Sequence, residues 1–234
     1  MDINTFVIEL NKLGININDI QLKQLEKYFE LLVEYNKVMN LTGITEKNDV
    51  YLKHFYDCLT INKVVDLNSV ASLCDIGSGA GFPGMVIKIL FPNIDMVLVD
   101  SLNKRISFLN TVIKTLELKN IIAIHSRIED FAQLNREKYD VVTARAVAKT
   151  NILLELSMPI LKINGRFVAM KSNVEDEITN ISNACKVLDC KLIKNEKFNL
   201  PIENSLRTLL VFKKNCKTNN KYPRKFEQIK KKPL

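Results

Sequence analysis

A chain of 234 residues, 47% hydrophobic and 26% charged, has the balance of an ordinary globular protein with one sizeable core and at most a small appendage. No apolar run approaches the length of a membrane span, so no membrane partner is expected. The formal charge of +8 has one location: residues 213–234 hold nine of the 34 basic residues and one acid, Glu227, while residues 1–212 balance at 25 of each sign.

The first residues, Met1-Asp-Ile-Asn-Thr, show no basic region followed by an apolar run, so no signal peptide is expected. The five cysteines (Cys58, Cys74, Cys185, Cys190, Cys216) are scattered, odd in number and without metal-ligand spacing. A reducing, cytoplasmic compartment accounts for them. With only His54 and His125 as imidazoles, no metal site is expected.

Residues 1–65 predict a helical N-terminal extension. Phe6, Leu10 and Leu13 begin an apolar stripe, and Leu22, Leu25, Phe29, Leu32 and Val33 continue it at helical spacing. Asn18 or Asp19 suits the start of the second helix. Asn40-Leu-Thr-Gly-Ile-Thr45 breaks the pattern as a loop, and a further helix carries His54, Phe55, Asp57, Leu59 and Ile61.

From residue 66 to 214 strands and helices alternate. Strands are expected at Val70–Asp75, Asp95–Asp100, Ile121–His125, Tyr139–Thr143 and Gly165–Lys171. Between and after them, helices are expected at Pro83–Phe91, Asn103–Leu118, Arg127–Leu134, Asn151–Leu161 and Val174–Leu188. Such alternation implies an α/β fold with a doubly wound parallel sheet. The last two strands, Lys191–Phe198 and Leu206–Lys214, are joined by a short loop and must be antiparallel. Residues 215–234 then form a basic C-terminal tail.

The most informative stretch is Asp75-Ile-Gly77-Ser-Gly79-Ala-Gly81-Phe82-Pro-Gly84. A strand feeds a glycine turn and then a helix, so a ligand can lie directly on backbone. Asp100 ends the next strand, where an acidic residue holds ribose hydroxyls in Rossmann-type units. Gly79-Ala-Gly81-Phe-Pro-Gly84 also fits the dinucleotide fingerprint, so a nicotinamide or flavin enzyme is a rival reading. Two features favour S-adenosyl-L-methionine as cofactor. Asp75 at the strand tip suits an amino-acid ammonium and repels a pyrophosphate. Pro83 removes one N–H that a pyrophosphate would use.

Other strand tips add candidates. Ile128 is expected to flank the adenine, and Glu129 or its backbone to take the exocyclic amine; an acidic helix start explains Glu129 and Asp130 equally well. Arg145, among small residues at a strand tip, suits the methionine carboxylate or a substrate phosphate, and is the one candidate for a positioning role in catalysis. The same tip lacks the Asp/Asn-Pro-Pro-aromatic cluster of amine methylation, and no cysteine is placed for carbon methylation. An acceptor that is already nucleophilic, such as a purine ring nitrogen, or a hydroxyl with a local base, remains. In the tail, Lys221-Tyr-Pro-Arg-Lys225 and Lys230-Lys-Lys-Pro-Leu234 interleave cations with an aromatic ring. A merely solvated tail is the plain reading; the alternative favoured here makes Tyr222, Arg224, Lys225, Lys230, Lys231 and Lys232 the nucleic-acid-binding candidates, with Tyr222 or Arg224 stacking on a base.

Taken together, the motifs Tyr35-Asn-x-x-x-Asn-Leu-Thr42, His54-Phe-Tyr-Asp57, Asp75 to Gly84, Asp100-Ser-Leu-x-Lys-Arg105, Ser126-Arg-Ile-Glu129, Ala144-Arg-Ala146 and the lysine-rich ending resemble the RsmG (GidB) family over nearly the whole chain. These are bacterial guanine-N7 methyltransferases of 16S ribosomal RNA. The resemblance implies a class I methyltransferase sheet and cofactor contacts from Gly77, Phe82, Ile128, Glu129 and Arg145. It also implies methyl transfer to a guanine N7 in the decoding region of 16S rRNA or the small subunit. A cytoplasmic, monomeric enzyme without DNA or membrane partners is expected. Two positions depart from the family pattern: Lys53 stands where arginine is usual, and Phe226-Glu-Gln-Ile229 replaces a Gly/Pro-rich segment. The roles of His54 and Asp57 stay open between bracing the N-terminal helices and serving the site.

Overall fold

The computed structural model describes residues 1–172, 174, 177 and 181–234. Seven strands form one sheet in the order β3-β2-β1-β4-β5-β7-β6. They are β1 (Ser72–Ile76), β2 (Asp95–Asp100), β3 (Ile121–His125), β4 (Tyr139–Arg145), β5 (Leu161–Lys171), β6 (Cys190–Asn199) and β7 (Leu206–Lys214). β1 to β5 pair in parallel, whereas β7 runs antiparallel to both β5 and β6. The expected turn at Ile163-Asn-Gly165 appears as a jump in pairing, from Tyr139↔Leu161 to Val141↔Arg166. The strand order reverses between β1 and β4, and ligands of open α/β sheets sit outside the carboxyl ends of the strands at such a point.

The N-terminal helices are α1 (Ile3–Lys12), α2 (Asp19–Met39), α3 (Lys47–Val50) and α4 (Asp57–Leu59), with a π-helical turn over Tyr51–Tyr56. Asn18 caps α2 in a reciprocal capping box with Gln21, whose amide also reaches the carbonyls of Ile89 and Leu90 at 3.1 Å. Further helices are α5 (Gly84–Leu90), α6 (Asn103–Thr115), α7 (Ile128–Leu134), α8 (Thr150–Ser157), α9 (Ser182–Leu188) and α10 (Phe226–Lys231). Of the helix expected over Val174–Leu188, α9 is seen; residues 173, 175, 176 and 178–180 lie outside the described residues.

Side chains alternate across the strands, so each face builds its own core. Leu73, Met96, Leu98 and Val168 pack with α1, α2, α5 and α6. Cys74, Val99, Val142 and Phe212 pack on the other face with α7, α8, Tyr222 and Ile229. The N-terminal helices thus share one core with the sheet, through Phe6, Leu25, Tyr28 and Phe55.

The expectation of a loose tail with Tyr222 and Arg224 facing RNA is corrected by this packing. The Tyr222 ring is buried in the second core, and Ile229 beside it is wholly buried. Arg224 grips the fully buried Glu155 with Nε to Oε1 at 2.8 Å and Nη2 to Oε2 at 2.6 Å. Arg136 and Gln133 bind the Tyr222 and Pro223 carbonyls at 2.7 and 3.0 Å. The reason is physical: an aromatic, an isoleucine and a paired arginine recur close together, and burying them outweighs the local charge. Lys225, Lys230, Lys231 and Lys232 stay exposed.

Candidate active site

Two cavities open at the carboxyl ends of β1, β2 and β4 and share Gly77, Arg105 and Ala146 as walls. The glycine turn lies between them. Gly77 has φ 70°, and a Cβ there would meet the Val147 side chain at 2.6 Å. Gly81 has φ 103°, and its Cβ would lie 2.7 Å from the Tyr28 hydroxyl. Both positions therefore require glycine. Tyr28 of α2 donates to the Ala80 carbonyl at 2.5 Å, so the N-terminal helices pin the turn.

The smaller cavity, about 280 Å³, is lined by Asp100, Ser101, Ile128, Glu129, Val147 and Phe226 among others. Asp100 Oδ2 accepts the Gly79 N–H at 2.9 Å and Arg105 Nη1 at 3.2 Å, and Oδ1 accepts the Leu102 N–H at 2.9 Å. Each carboxylate oxygen has two acceptor positions, so one on Oδ1 is left for a ligand hydroxyl. An apolar wall of Ile128, Leu156 and Phe226 beside this acceptor fits the adenosine of S-adenosylmethionine.

Asp75 is not part of either wall. It is fully buried; its Oδ2 accepts the Gly84 N–H at 3.0 Å, and Oδ1 accepts the Thr143 hydroxyl at 3.3 Å. Burial raises its pKa to about 6, against the pull of the Gly84 N–H. The expectation that Asp75 faces an amine is therefore corrected: it holds the start of α5, where free N–H groups attract a carboxylate. Gly81 likewise lies behind the turn, while Gly77, Gly79 and Phe82 face the larger cavity.

The larger cavity, about 480 Å³, is built around Asp57. Asp57 Oδ2 binds Arg145 Nη1 at 3.2 Å, and Oδ1 binds Arg207 Nε at 3.1 Å. Burial pushes the Asp57 carboxyl above the ordinary range, and the two guanidiniums pull against it. Arg145 also donates to the Lys53 carbonyl and to His54 Nδ1, both at 3.1 Å, and its guanidinium lies 4.9 Å from the Phe82 ring centre. The His54 ring stacks on Phe82 at 4.4 Å. Nδ1 faces both the Arg145 guanidinium, which can only donate, and the Lys53 carbonyl at 3.1 Å, which can only accept, while Nε2 lies 2.8 Å from Thr42 Oγ1. Asn36 fixes that loop through Leu41 N–H, Thr42 N–H and the Thr42 carbonyl. Lys53, Arg105, Arg145, Lys171 and Arg207 line the cavity, with Asp57 its one lining carboxylate among the described residues; each cation is held by a carboxylate, Lys53 by Asp49 and Glu203, Arg105 by Asp100, Lys171 by Glu177, and Arg145 and Arg207 by Asp57.

His54 is held neutral, with its pKa lowered to about 3 by burial and then by Arg145. Between pH 6.5 and about 3 the unfolded chain binds the extra proton, so His54 lowers stability as pH falls. Asp75 acts in the opposite direction below about pH 6, where the folded state takes up a proton first. His54→Gln should therefore remove about 2 kcal/mol of the acid-induced loss between pH 6.5 and 5. The difference between wild-type and variant urea unfolding at the two pH values measures it. An unchanged difference would show that His54 titrates normally.

Arg207, Thr42, Lys171 and Phe226 were not among the sequence candidates, although Arg207 carried a signal. A single arginine in the apolar run Leu206-Arg-Thr-Leu-Leu-Val-Phe212 is the same cue that marks Arg145. Among the described residues no group of three or more His, Cys, Asp or Glu is placed to hold a metal, and no helix is long and apolar enough to cross a membrane.

The architecture is that of known methyltransferases. A putative sarcosine dimethylglycine methyltransferase from Galdieria sulphuraria superposes with a TM-score of 0.54 at 11% identity, covering 74% of this chain and 89% of the other. TYW2 of M. jannaschii, solved in complex with AdoMet, gives 0.52 at 18% identity over 63% of this chain and 70% of that one. These likenesses establish the fold. Sequence relatives reach further. Ribosomal RNA small subunit methyltransferase G of Bacillus licheniformis is 47% identical over 237 aligned residues, covering all of this chain and 99% of the relative. The protein of the same description from Bacillus subtilis strain 168 is 46% identical with the same coverage. The GidB profile, described as rRNA small subunit methyltransferase G, matches residues 21–206, from the second helix into the last strand. With the sheet, the glycine turn and these full-length relatives in agreement, the chain belongs to the GidB family of rRNA small subunit methyltransferases.

Proposed function

We propose that the chain transfers a methyl group from S-adenosyl-L-methionine to N7 of a guanine in the decoding region of 16S rRNA, acting on the RNA or the small subunit as a cytoplasmic monomer. The observation that carries this reading is the pair of cavities meeting at Gly77 and Ala146, one with the Asp100 acceptor beside an apolar wall and the other lined by five basic side chains. When bound, the cofactor supplies an electrophilic sulfonium methyl. The residues of the chain have the remaining tasks. Asp100 and the Ile128 to Glu129 segment hold the nucleoside end. Arg145, fixed by Asp57 and His54, lines the larger cavity next to the shared wall residue Ala146. Lys53, Lys171 and Arg207, each held by a carboxylate, are the cationic donors that the acceptor cavity offers to RNA. All five cysteines are free, in keeping with a reducing compartment.

Among the described residues the acceptor cavity holds no free general base. Asp57, its lining carboxylate among them, is bound by two guanidiniums, and both ring nitrogens of His54 have partners. Guanine N7 carries a lone pair and loses no proton on attack, so alignment suffices. Single-turnover methylation of 16S rRNA or small subunits at saturating cofactor should be nearly flat from about pH 6 to 9. The product mapped by mass spectrometry should be one 7-methylguanosine. A tenfold rise per pH unit, or methyl on a hydroxyl or amine, would overturn the N7 assignment.

A further inference from the structure

We infer that Phe226, supplied by the C-terminal segment, forms part of the adenine-binding wall, so that this segment and the cofactor stabilise each other. The inference rests on the cofactor reading of the smaller cavity given above. Phe226 opens α10, is half-buried, and lines that cavity together with Ile128, Glu129 and Leu156. It stands in the Phe226-Glu-Gln-Ile229 stretch, one of the chain's two departures from the family pattern.

The ring is presented by an anchored element. Two residues before it, Arg224 forms its two-pronged ion pair with Glu155 of α8, and its backbone N–H also reaches Glu155 Oε1 at 2.9 Å. Three residues after it, Ile229 is wholly buried. Gln133 of α7 and Arg136, just beyond that helix, bind carbonyls of the same segment, and α7 begins at Ile128, itself a wall of the cavity. The aromatic ring and Ile128 therefore belong to one rigid assembly. A flat purine needs apolar surface on its faces, which a phenyl ring supplies. Any ligand touching both Ile128 and Phe226 binds the seated segment and not the detached one, so it must favour the seated state.

Calorimetry with S-adenosylhomocysteine on wild type, Phe226→Ala, Phe226→Leu and Asp100→Ala tests this. Phe226→Ala should weaken binding about tenfold, the order expected for removing one aromatic ring from a purine face, with Phe226→Leu intermediate. Asp100→Ala should weaken it at least as much. Wild-type affinity in Phe226→Ala beside a loss in Asp100→Ala would overturn the inference and leave the cofactor pocket intact. Wild-type affinity in both would overturn the pocket reading and the inference with it. Tryptic cleavage after Lys225 and Lys230 of the wild-type protein gives a readout independent of any variant's folding. Saturating S-adenosylhomocysteine should slow it severalfold; an unchanged cleavage rate would overturn the mutual stabilisation.

Discussion

Deleting residues 217–234 is expected to unfold the protein and not merely to trim a basic arm. The deletion takes Tyr222 and Ile229 out of the second core. It also removes Arg224 from the fully buried Glu155 and strips Arg136 of its carbonyl acceptors at Thr218 and Tyr222. Leaving a buried carboxylate unpaired costs about 3–5 kcal/mol, and losing a buried isoleucine about 2–5 kcal/mol. Together these equal much of the about 5–15 kcal/mol that holds a domain folded. The truncated chain should lose its cooperative thermal transition. A sharp transition within a few degrees of the full-length protein would show that the segment is not part of the fold. The RNA role of the segment needs a different variant. Replacing the exposed Lys225, Lys230, Lys231 and Lys232 by alanine should keep the thermal transition. It should flatten the salt dependence of RNA binding by about 0.7 log–log units for each phosphate no longer neutralised.

Asp57→Ala should have the second largest effect. Asp57 is the shared anion of Arg145 and Arg207, which reach it from β4 and β7 while it sits on the N-terminal helices. Without it two guanidiniums face one another across a mostly buried site, at a cost of about 3–5 kcal/mol. Arg145 would also be without the carboxylate that aims it over Phe82. Urea unfolding should show the destabilisation, and methyl transfer should fall further than cofactor affinity, because Asp57 lines the larger cavity and not the smaller. Asp57→Asn, which keeps the shape and an acceptor, should recover part of the stability. Equal losses in cofactor binding and methyl transfer would place the network in cofactor binding instead.

The sequence by itself determined what depends on local rules. The Asp75 to Gly84 stretch requires a strand, a positive-φ turn and a helix start in that order, because only glycine tolerates the backbone of Gly77 and Gly81. Period and loop length set the alternating α/β order and the antiparallel last pair. The capping box at Asn18 and the strand-end position of Asp100 are equally local. What only the tertiary structure decided depends on contacts far apart in sequence. Asp57, Arg145 and Arg207 lie 88 and 150 residues apart in their pairings, and no spacing rule joins a helix to two separate strands. Asp75 and Asp100 look alike at their strand tips, yet one is folded under α5 and the other faces a cavity; only the packing of Gly84 and Thr143 separates them. The tail's charge suggested a nucleic-acid-binding arm. Its anchoring came from the second core that Tyr222 and Ile229 enter and from the Arg224–Glu155 pair. Charge is summed along a sequence, whereas burial depends on which surfaces the finished fold leaves to be covered.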